Sequence, residues 1–283
     1  MHGADAALKQ PRAFYIAGVD STSSVIAGHT WGIPVAGTMA HSYILAFESE
    51  LQAFREFTRT YPNAILLIDT YNIEKGVENI IQLSRETGSE FRVSGVRLDS
   101  GDLAYHAREV RRRLDAAGLQ QVKIFASSSL DEYEIQRLVS AGVPINGFGV
   151  GRHLATSSDV PVLDTAYKLA EYAGRPKMKL SESKATLPGR KQIFRKKVNG
   201  KPVRDVIGIM TEQEIEGEPL LVKVMEQGKR LHPPDALDVC RARCQSQRIA
   251  FPELMDLSKV EVPYPVELSP KLAAMKNQAT TRS

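Results

Sequence analysis

Two carboxylates, an arginine and a histidine are the first residues whose types and spacing could do chemistry. Asp99-Ser100-Gly101-Asp102 sets two carboxylates around a Ser-Gly turn, and Arg97 lies two residues earlier, on the same face of an extended chain. Carboxylates so placed can hold ribose hydroxyls or Mg²⁺, which takes hard oxygen ligands. Asp102 could equally do no more than cap a helix beginning at Leu103. Thr38-Met39-Ala40-His41-Ser42 places a histidine just past an apolar run, where a helix should begin and its unpaired N–H groups favour an anion. Such a histidine can be a base or a nucleophile that accepts a phosphoryl group, although on pattern alone a lone histidine is more often structural. None of His2, His29, His106, His153 and His232 has metal-ligand spacing with it. Gly149-Val150-Gly151 would let backbone N–H groups approach a phosphate, or simply make a tight turn. Eight basic residues, Lys184, Arg190, Lys191, Arg195, Lys196, Lys197, Lys201 and Arg204, form a basic segment followed by Asp205. Phe194 is the only aromatic there, and no nucleic-acid motif accompanies it, so a small phosphorylated anion is the preferred partner over nucleic acid, with a solvated loop as the bland alternative.

The elements that must position these residues repeat one pattern. The apolar runs Ile33–Thr38, Ala64–Asp69, Phe91–Asp99, Val122–Ser127 and Ile145–Val150 read as buried parallel strands, because both faces are apolar. Between them, helical spacing links Phe47, Leu51, Phe54 and Phe57, then Val77, Ile80 and Ile81, then Leu103, Ala107, Val110 and Leu114. Gly88, Gly118 and Gly142 stand where helix ends favour glycine, and Asp131 where a helix start favours a cap. Each run ends in polar or small residues, Asp69-Thr70 and Ser127-Ser128-Ser129 among them. A (β/α) barrel and an open parallel sheet both fit this rhythm. Sites built from several strand ends characterise barrels, and no G-x-G-x-x-G follows the first run, so the barrel is favoured over the open sheet for residues 1–175. Residues 176–283 are expected to be an appended domain: a basic loop, a pair of strands alternating around Gly217 in Lys201–Met225, and a proline-rich tail.

Composition narrows the classes further. A chain of 283 residues, 42% hydrophobic and 25% charged, with a net charge of +4, is ordinary for a globular protein. No run of 18 apolar residues suggests a membrane span. Cys240 and Cys244, the only cysteines, form neither a zinc pattern nor a disulfide framework and read as one helical face. A cytoplasmic location is expected. Lys123, the one lysine inside an expected barrel strand, lies early in that strand, which argues against a Schiff-base aldolase.

Taken in order, Gly37-Thr38-Met39-Ala40-His41-Ser42, Val96-Arg97-Leu98-Asp99-Ser100-Gly101-Asp102-Leu103, Gly147-Phe148-Gly149-Val150-Gly151 and Lys179-Leu180-Ser181-Glu182-Ser183-Lys184-Ala185-Thr186-Leu187-Pro188-Gly189-Arg190-Lys191-Gln192 resemble the nicotinate phosphoribosyltransferase family. Asp20-Ser21-Thr22-Ser23-Ser24 is similar to that family's stretch upstream of them, and the resemblance runs from about Ala13 to Ser269. It implies the barrel of a type II phosphoribosyltransferase, forming nicotinate mononucleotide and diphosphate from nicotinate and phosphoribosyl pyrophosphate. It also implies Mg²⁺ and ATP, the latter coupled through a phosphohistidine at His41, and a homodimer when full length. By the same resemblance Arg97 meets the nicotinate carboxylate, and Thr38 and Asp20 line that pocket. Asp99 serves the ribose and the metal, with Ser100, Gly101 and Asp102 beside the diphosphate. Gly149, Gly151 and Arg152 would bind the 5′-phosphate, Arg152 standing where the family usually has threonine. Lys184, Arg190 and Lys191 would supply cations to the diphosphate. The family's preceding segment, with an arginine-rich motif and a tyrosine-bearing stretch, has no counterpart in this sequence, which implies a barrel incomplete at its N-terminus. The competing expectation is a truncated, non-catalytic relative or partner-dependent subunit that binds phosphoribosyl ligands.

Overall fold

The computed structural model describes residues 3–157, 161–163, 165–181, 185–255 and 264–281. The backbone divides into two compact units, one of Met1–Tyr15 with Asp20–Val162 and the other of Ile16–Val19 with Leu163–Ser283. The chain opens with α1 (Gly3–Ala17), α2 (Val25–Trp31), α3 (His41–Leu45) and α4 (Glu50–Thr60). It then alternates β1 (Ile65–Leu67), α5 (Ile73–Thr87), β2 (Gly95–Leu98), α6 (Leu103–Ala116), β3 (Lys123–Ala126), α7 (Glu132–Ser140), β4 (Gly147–Phe148) and α8 (Arg152–Thr156).

The four strands of the first unit are parallel and hydrogen-bonded in sequence order, β1-β2-β3-β4. A doubly wound sheet would reverse that order at a switch point; a helix after every strand with no reversal is the pattern of a (β/α) barrel. Both faces are covered, so the strands carry continuous apolar residues. Leu66, Leu67, Ile68, Val96, Leu98, Ile124 and Ala126 pack with Phe54, Ile80, Leu114 and Leu138 in one buried core. Each large side chain so buried contributes about 1.5–3 kcal/mol. Gly95 and Gly147, on the strands flanking β3, owe their identity to the same sheet: a Cβ at either would stand 2.8 Å from the Phe125 ring between them. Helix starts are fixed by Ser49, Asn72, Asp102 and Asp131, each accepting an N–H from the first turn that follows. Gly88, Gly118 and Gly142 close helices at φ of 52°, 78° and 59°, as their positions in the sequence led one to expect.

Two expected features differ. Residues 33–38 form no ladder, only a single parallel bridge between Thr22 and Val35. Pro34 has no N–H to donate and contributes only its carbonyl, to Thr22 N–H at 3.0 Å. The helical pattern that follows is also split, into α3 and α4, with a turn over residues 46–49.

The second unit contains β5 (Glu171–Tyr172), β6 (Arg175–Pro176), β7 (Lys191–Val198), β8 (Lys201–Ile209), β9 (Glu218–Pro219), β10 (Met225–Glu226), β11 (Lys229–Arg230), α9 (Leu237–Ala250), β12 (Val266–Leu268) and α10 (Pro270–Thr281). Its main sheet runs β12-β8-β7-β9, with β12 parallel to β8 and the rest antiparallel. The long hairpin turns at Asn199-Gly200 (φ 51° and 77°), not around Gly217 as the alternation suggested. Two successive positive φ values make the turn whose twist matches paired strands, and Asn-Gly is its preferred sequence. Across the hairpin Arg195 donates two hydrogen bonds to Asp205, at 2.9 and 2.8 Å. Tyr264 Oη donates to the same carboxylate at 2.9 Å, and the guanidinium lies over the Phe251 ring. Cys240 and Cys244, one turn apart on α9, are free and half-buried.

Candidate functional site

The chemistry gathers where β1, β2 and β3 end. Asp69 follows β1, Asp99 and Ser100 follow β2, Ser127 follows β3, and His41 is the first residue of α3. Arg97 and Asp99 share a face of β2 as their spacing required, with the guanidinium 3.7 Å from Asp99 Oδ1. Arg97 also donates to Ser127 Oγ at 3.3 Å and to the Met39 carbonyl at 3.1 Å, tying the Thr38–His41 segment to the sheet. Its Nε is buried without a partner. Ser127 Oγ donates to Asp99 Oδ1 at 2.5 Å. His41 Nε2 lies 3.6 Å from Asp99 Oδ2, and its Nδ1 is 3.0 Å from Thr70 Oγ1. One carboxylate thus faces a guanidinium, an imidazole and a hydroxyl, with its own side chain 30% exposed and that of His41 41% exposed.

Asp69 and Thr70 were legible only as polar residues at a strand end. Asp69 Oδ2 accepts the Asp99 N–H at 2.8 Å and Ser100 Oγ at 2.6 Å, so it fixes the turn that carries the second carboxylate. That turn continues through Gly101 at φ +73°. Asp102 takes the capping role that its spacing allowed: Oδ1 accepts from the N–H groups of Ala104 and Tyr105, both at 3.0 Å. The Tyr105 bond leads in holding its carboxyl below the usual aspartate range. Past β3, Ser128 and Ser129 have φ of 86° and 43°. Left-handed backbone at non-glycine residues costs about 1–3 kcal/mol each and recurs where a site overrides local preference. No residue-type signal in Ser-Ser-Ser announced it.

Other expected site residues fall as follows. Thr22 N–H to Pro34 and Ala36 N–H to Thr22 draw the segment beginning at Asp20 alongside the one leading into Thr38. Gly149 N–H is bound to the Ala126 carbonyl at 2.8 Å, beside Ser127, and Gly151 leads into α8, whose first residue is the exposed Arg152. Arg190 and Lys191 have partners within the second unit: Arg190 pairs with Glu171 at 3.0 Å, and Lys191 Nζ donates to the carbonyls of Leu187 and Gly189. Burial pushes the Lys191 ammonium below the usual lysine range. Lys184 lies outside the described residues. A cavity of about 490 Å³ opens at the other end of the sheet, lined by Arg111, Lys123, Pro144 and Asn146 among others. In parallel barrels that end serves stability rather than chemistry.

Known proteins resemble this chain along nearly its whole length. The model of the nicotinate phosphoribosyltransferase C-terminal domain matches residues 190–276. The nicotinate phosphoribosyltransferase pncB2 of Mycobacterium tuberculosis is 47% identical over 274 residues, covering 96% of this chain and 59% of that protein. The human nicotinate phosphoribosyltransferase is 30% identical over 357 residues, covering 97% of this chain and 66% of its own length. The crystal structure of human nicotinic acid phosphoribosyltransferase superposes with a TM-score of 0.82 at 28% identity, over 98% of this chain and 68% of that one. This chain therefore spans about three fifths of the relative from M. tuberculosis. With its consecutive parallel strands, its appended second unit and these likenesses, the chain belongs to the nicotinate phosphoribosyltransferase family.

Proposed function

We propose that the chain carries the phosphoribosyl transfer of NAD salvage from nicotinate. The nicotinate ring nitrogen attacks C1 of phosphoribosyl pyrophosphate, the C1–O bond breaks, and diphosphate leaves with the bonding electrons. The ring becomes a pyridinium, giving nicotinate mononucleotide without proton transfer. The observation that carries this reading is the single cluster of Arg97, Asp99 and His41 at adjacent strand ends. Arg97 offers a planar cation to the nicotinate carboxylate, with Thr38 and Asp20 at the sides of that pocket. Asp99 faces the ribose, where positive charge develops in the transition state. The Ser100-Gly101 turn and Asp102 take the diphosphate side, and Gly149, Gly151 and Arg152 the 5′-phosphate. Lys184, Arg190 and Lys191 remain proposed as cations for the diphosphate, the last two having first to leave their partners in the second unit.

The residues fit Mg²⁺ as an ion carried in on diphosphate. Among the described residues no three His, Cys, Asp or Glu side chains converge as a cage, and Mg²⁺ commonly takes one or two carboxylates together with substrate phosphates. Asp99 would hold it, and it would neutralise charge on the leaving group. ATP enters through His41. In the tautomer whose Nδ1–H donates to Thr70, Nε2 would carry the lone pair, and it would have to turn it from Asp99 toward the phosphate. Nε2 attacks the γ-phosphorus and the P–O bond to ADP breaks. The same reading carries the proposed homodimer and cytoplasmic location; among the described residues no helix is long and apolar enough to cross a membrane.

The test is formation of nicotinate mononucleotide by the purified chain with Mg²⁺ and phosphoribosyl pyrophosphate, with and without ATP. Turnover that ATP stimulates is expected, and His41→Ala should lose the stimulation while leaving some basal transfer. A His41→Ala protein that still responds to ATP would refute the phosphohistidine. A folded wild-type chain that forms no product would refute the activity of this polypeptide by itself.

A further inference from the structure

Arg97 and Asp99 stand two residues apart on one face of β2, where a guanidinium and a carboxylate can close into direct N–H···O bonds of about 2.7–2.9 Å. They do not: Arg97 Nη1 stops 3.7 Å from Asp99 Oδ1. The group that joins them is the hydroxyl of Ser127, which follows β3. Its Oγ accepts from Arg97 Nη1 at 3.3 Å and donates to Asp99 Oδ1 at 2.5 Å. A hydroxyl can accept from a cation and donate to an anion at once, which neither partner can do for the other's neighbour. Ser127 is also held firmly. It is 8% exposed, its N–H donates to the Leu98 carbonyl at 2.8 Å, and the backbone turns away directly after it through the positive φ of Ser128 and Ser129.

On its other nitrogen the guanidinium is held by the Met39 carbonyl, which accepts from Nη2 at 3.1 Å. Two of its five donors are thus used, Nε–H is buried without a partner, and each Nη keeps one hydrogen. A direct pair with Asp99 would take up that remaining capacity. We propose that Ser127 is a positioning residue that holds Arg97 off Asp99, so that the guanidinium stays open to the carboxylate of nicotinate and the site prefers the acid to its uncharged amide. A site built to hydrogen-bond one group rejects the analogue that lacks it, but only while its own donors stay free. The separation stands on the contacts of Ser127; its consequence for ligand choice rests on the role proposed above for Arg97.

The experiment uses the full 283-residue chain, without phosphoribosyl pyrophosphate or Mg²⁺. Nicotinate and nicotinamide are titrated by ligand-observed NMR into wild type and Ser127→Ala, and the crystal structure of Ser127→Ala is determined. With the hydroxyl gone, Arg97 and Asp99 should close to a direct pair of about 2.8 Å. Nicotinate affinity should then fall roughly tenfold, in the range of one hydrogen bond to a charged group, while nicotinamide affinity stays as in wild type. In an Arg97→Ala background the same substitution should leave the ratio of the two affinities unchanged, because Ser127 acts through Arg97. A gap that stays open in Ser127→Ala, or equal losses for both ligands as a merely structural role would give, overturns the proposal. Should Ser127→Ala not fold, Ser127→Cys makes the same test, since a thiol is a weak donor and acceptor. A wild-type chain that binds nicotinate no better than nicotinamide would count against the role of Arg97 in the proposed function, and the Arg97–Asp99 distance in the variant would then decide the separation by itself.

Discussion

The strand-end cluster of the first unit and the Arg195–Asp205 pair of the second are built from the same groups and finished differently. In the second unit the guanidinium and carboxylate meet in two hydrogen bonds, Tyr264 donates a third, and Phe251 covers the cation. Among the described residues, no buried side-chain polar atom lacking a partner falls in that unit. In the first unit Arg97 Nε and Asp69 Oδ1 lack partners, Arg97 and Asp99 stand 3.7 Å apart without a direct hydrogen bond, and Ser128 and Ser129 hold positive φ. A polar cluster that serves stability satisfies its own atoms; one that serves a ligand leaves bonding capacity and strain in place.

That contrast can be broken by mutation. The largest effect is expected from Asp205→Ala, which leaves the half-buried Arg195 without its carboxylate and with Gln247 as its remaining acceptor. It should destabilise the second unit by about 3 kcal/mol, seen in a denaturant titration, with nicotinate affinity unchanged in the folded protein. Acid should do the same reversibly. Arg195 foremost, with Tyr264 adding, holds the Asp205 carboxyl below its ordinary value of 3.8. The stabilisation is therefore complete above that value and is lost as pH falls through the lower folded one. Next in size, Arg97→Ala should raise the KM for nicotinate about tenfold to a hundredfold, the worth of a charge-assisted hydrogen-bonded pair, while the KM for phosphoribosyl pyrophosphate changes little. Equal rises for both substrates would count against the nicotinate-binding role proposed for Arg97. The smallest effect is expected from Gly200→Ala, which places a Cβ on a positive-φ turn residue. About 1 kcal/mol of second-unit stability should be lost, with kinetics unaltered; a kinetic effect would mean that the two regions are not separable.

How much of this was legible in the sequence depended on how local the signal was. Caps and glycine stops act within one turn of chain, so Asp131, Gly88, Gly118 and Gly142 could be read directly. The strand rhythm was equally visible, because a sheet covered on both faces demands unbroken apolar runs. The first expected strand failed at Pro34, whose missing N–H the apolar pattern cannot weigh. The hairpin was misplaced because side-chain alternation was followed past Asn199-Gly200, the stronger local signal. Within the site, Arg97, Asp99 and His41 announced themselves by type and spacing. Asp69 did not announce its part: it is one acid at a strand end, and its hold on Asp99 N–H and Ser100 Oγ depends on a strand that arrives later in the chain. The backbone strain at Ser128 and Ser129 has no residue-type signature at all.

The strand order also bears on how the molecule is made. Each strand of the first sheet pairs with its immediate predecessor, as Ile65 with Gly95, Gly95 with Lys123 and Phe125 with Gly147, so the sheet can grow by accretion while the chain leaves the ribosome. The second sheet cannot finish this way, because β8 waits for β12, whose Val266 lies opposite Asp205 but is synthesised long after it. Non-local pairing of that kind is slow to close. On pulsed hydrogen exchange during refolding, amides around Val96 should therefore gain protection before that of Asp205, which donates to the Pro265 carbonyl at 3.0 Å.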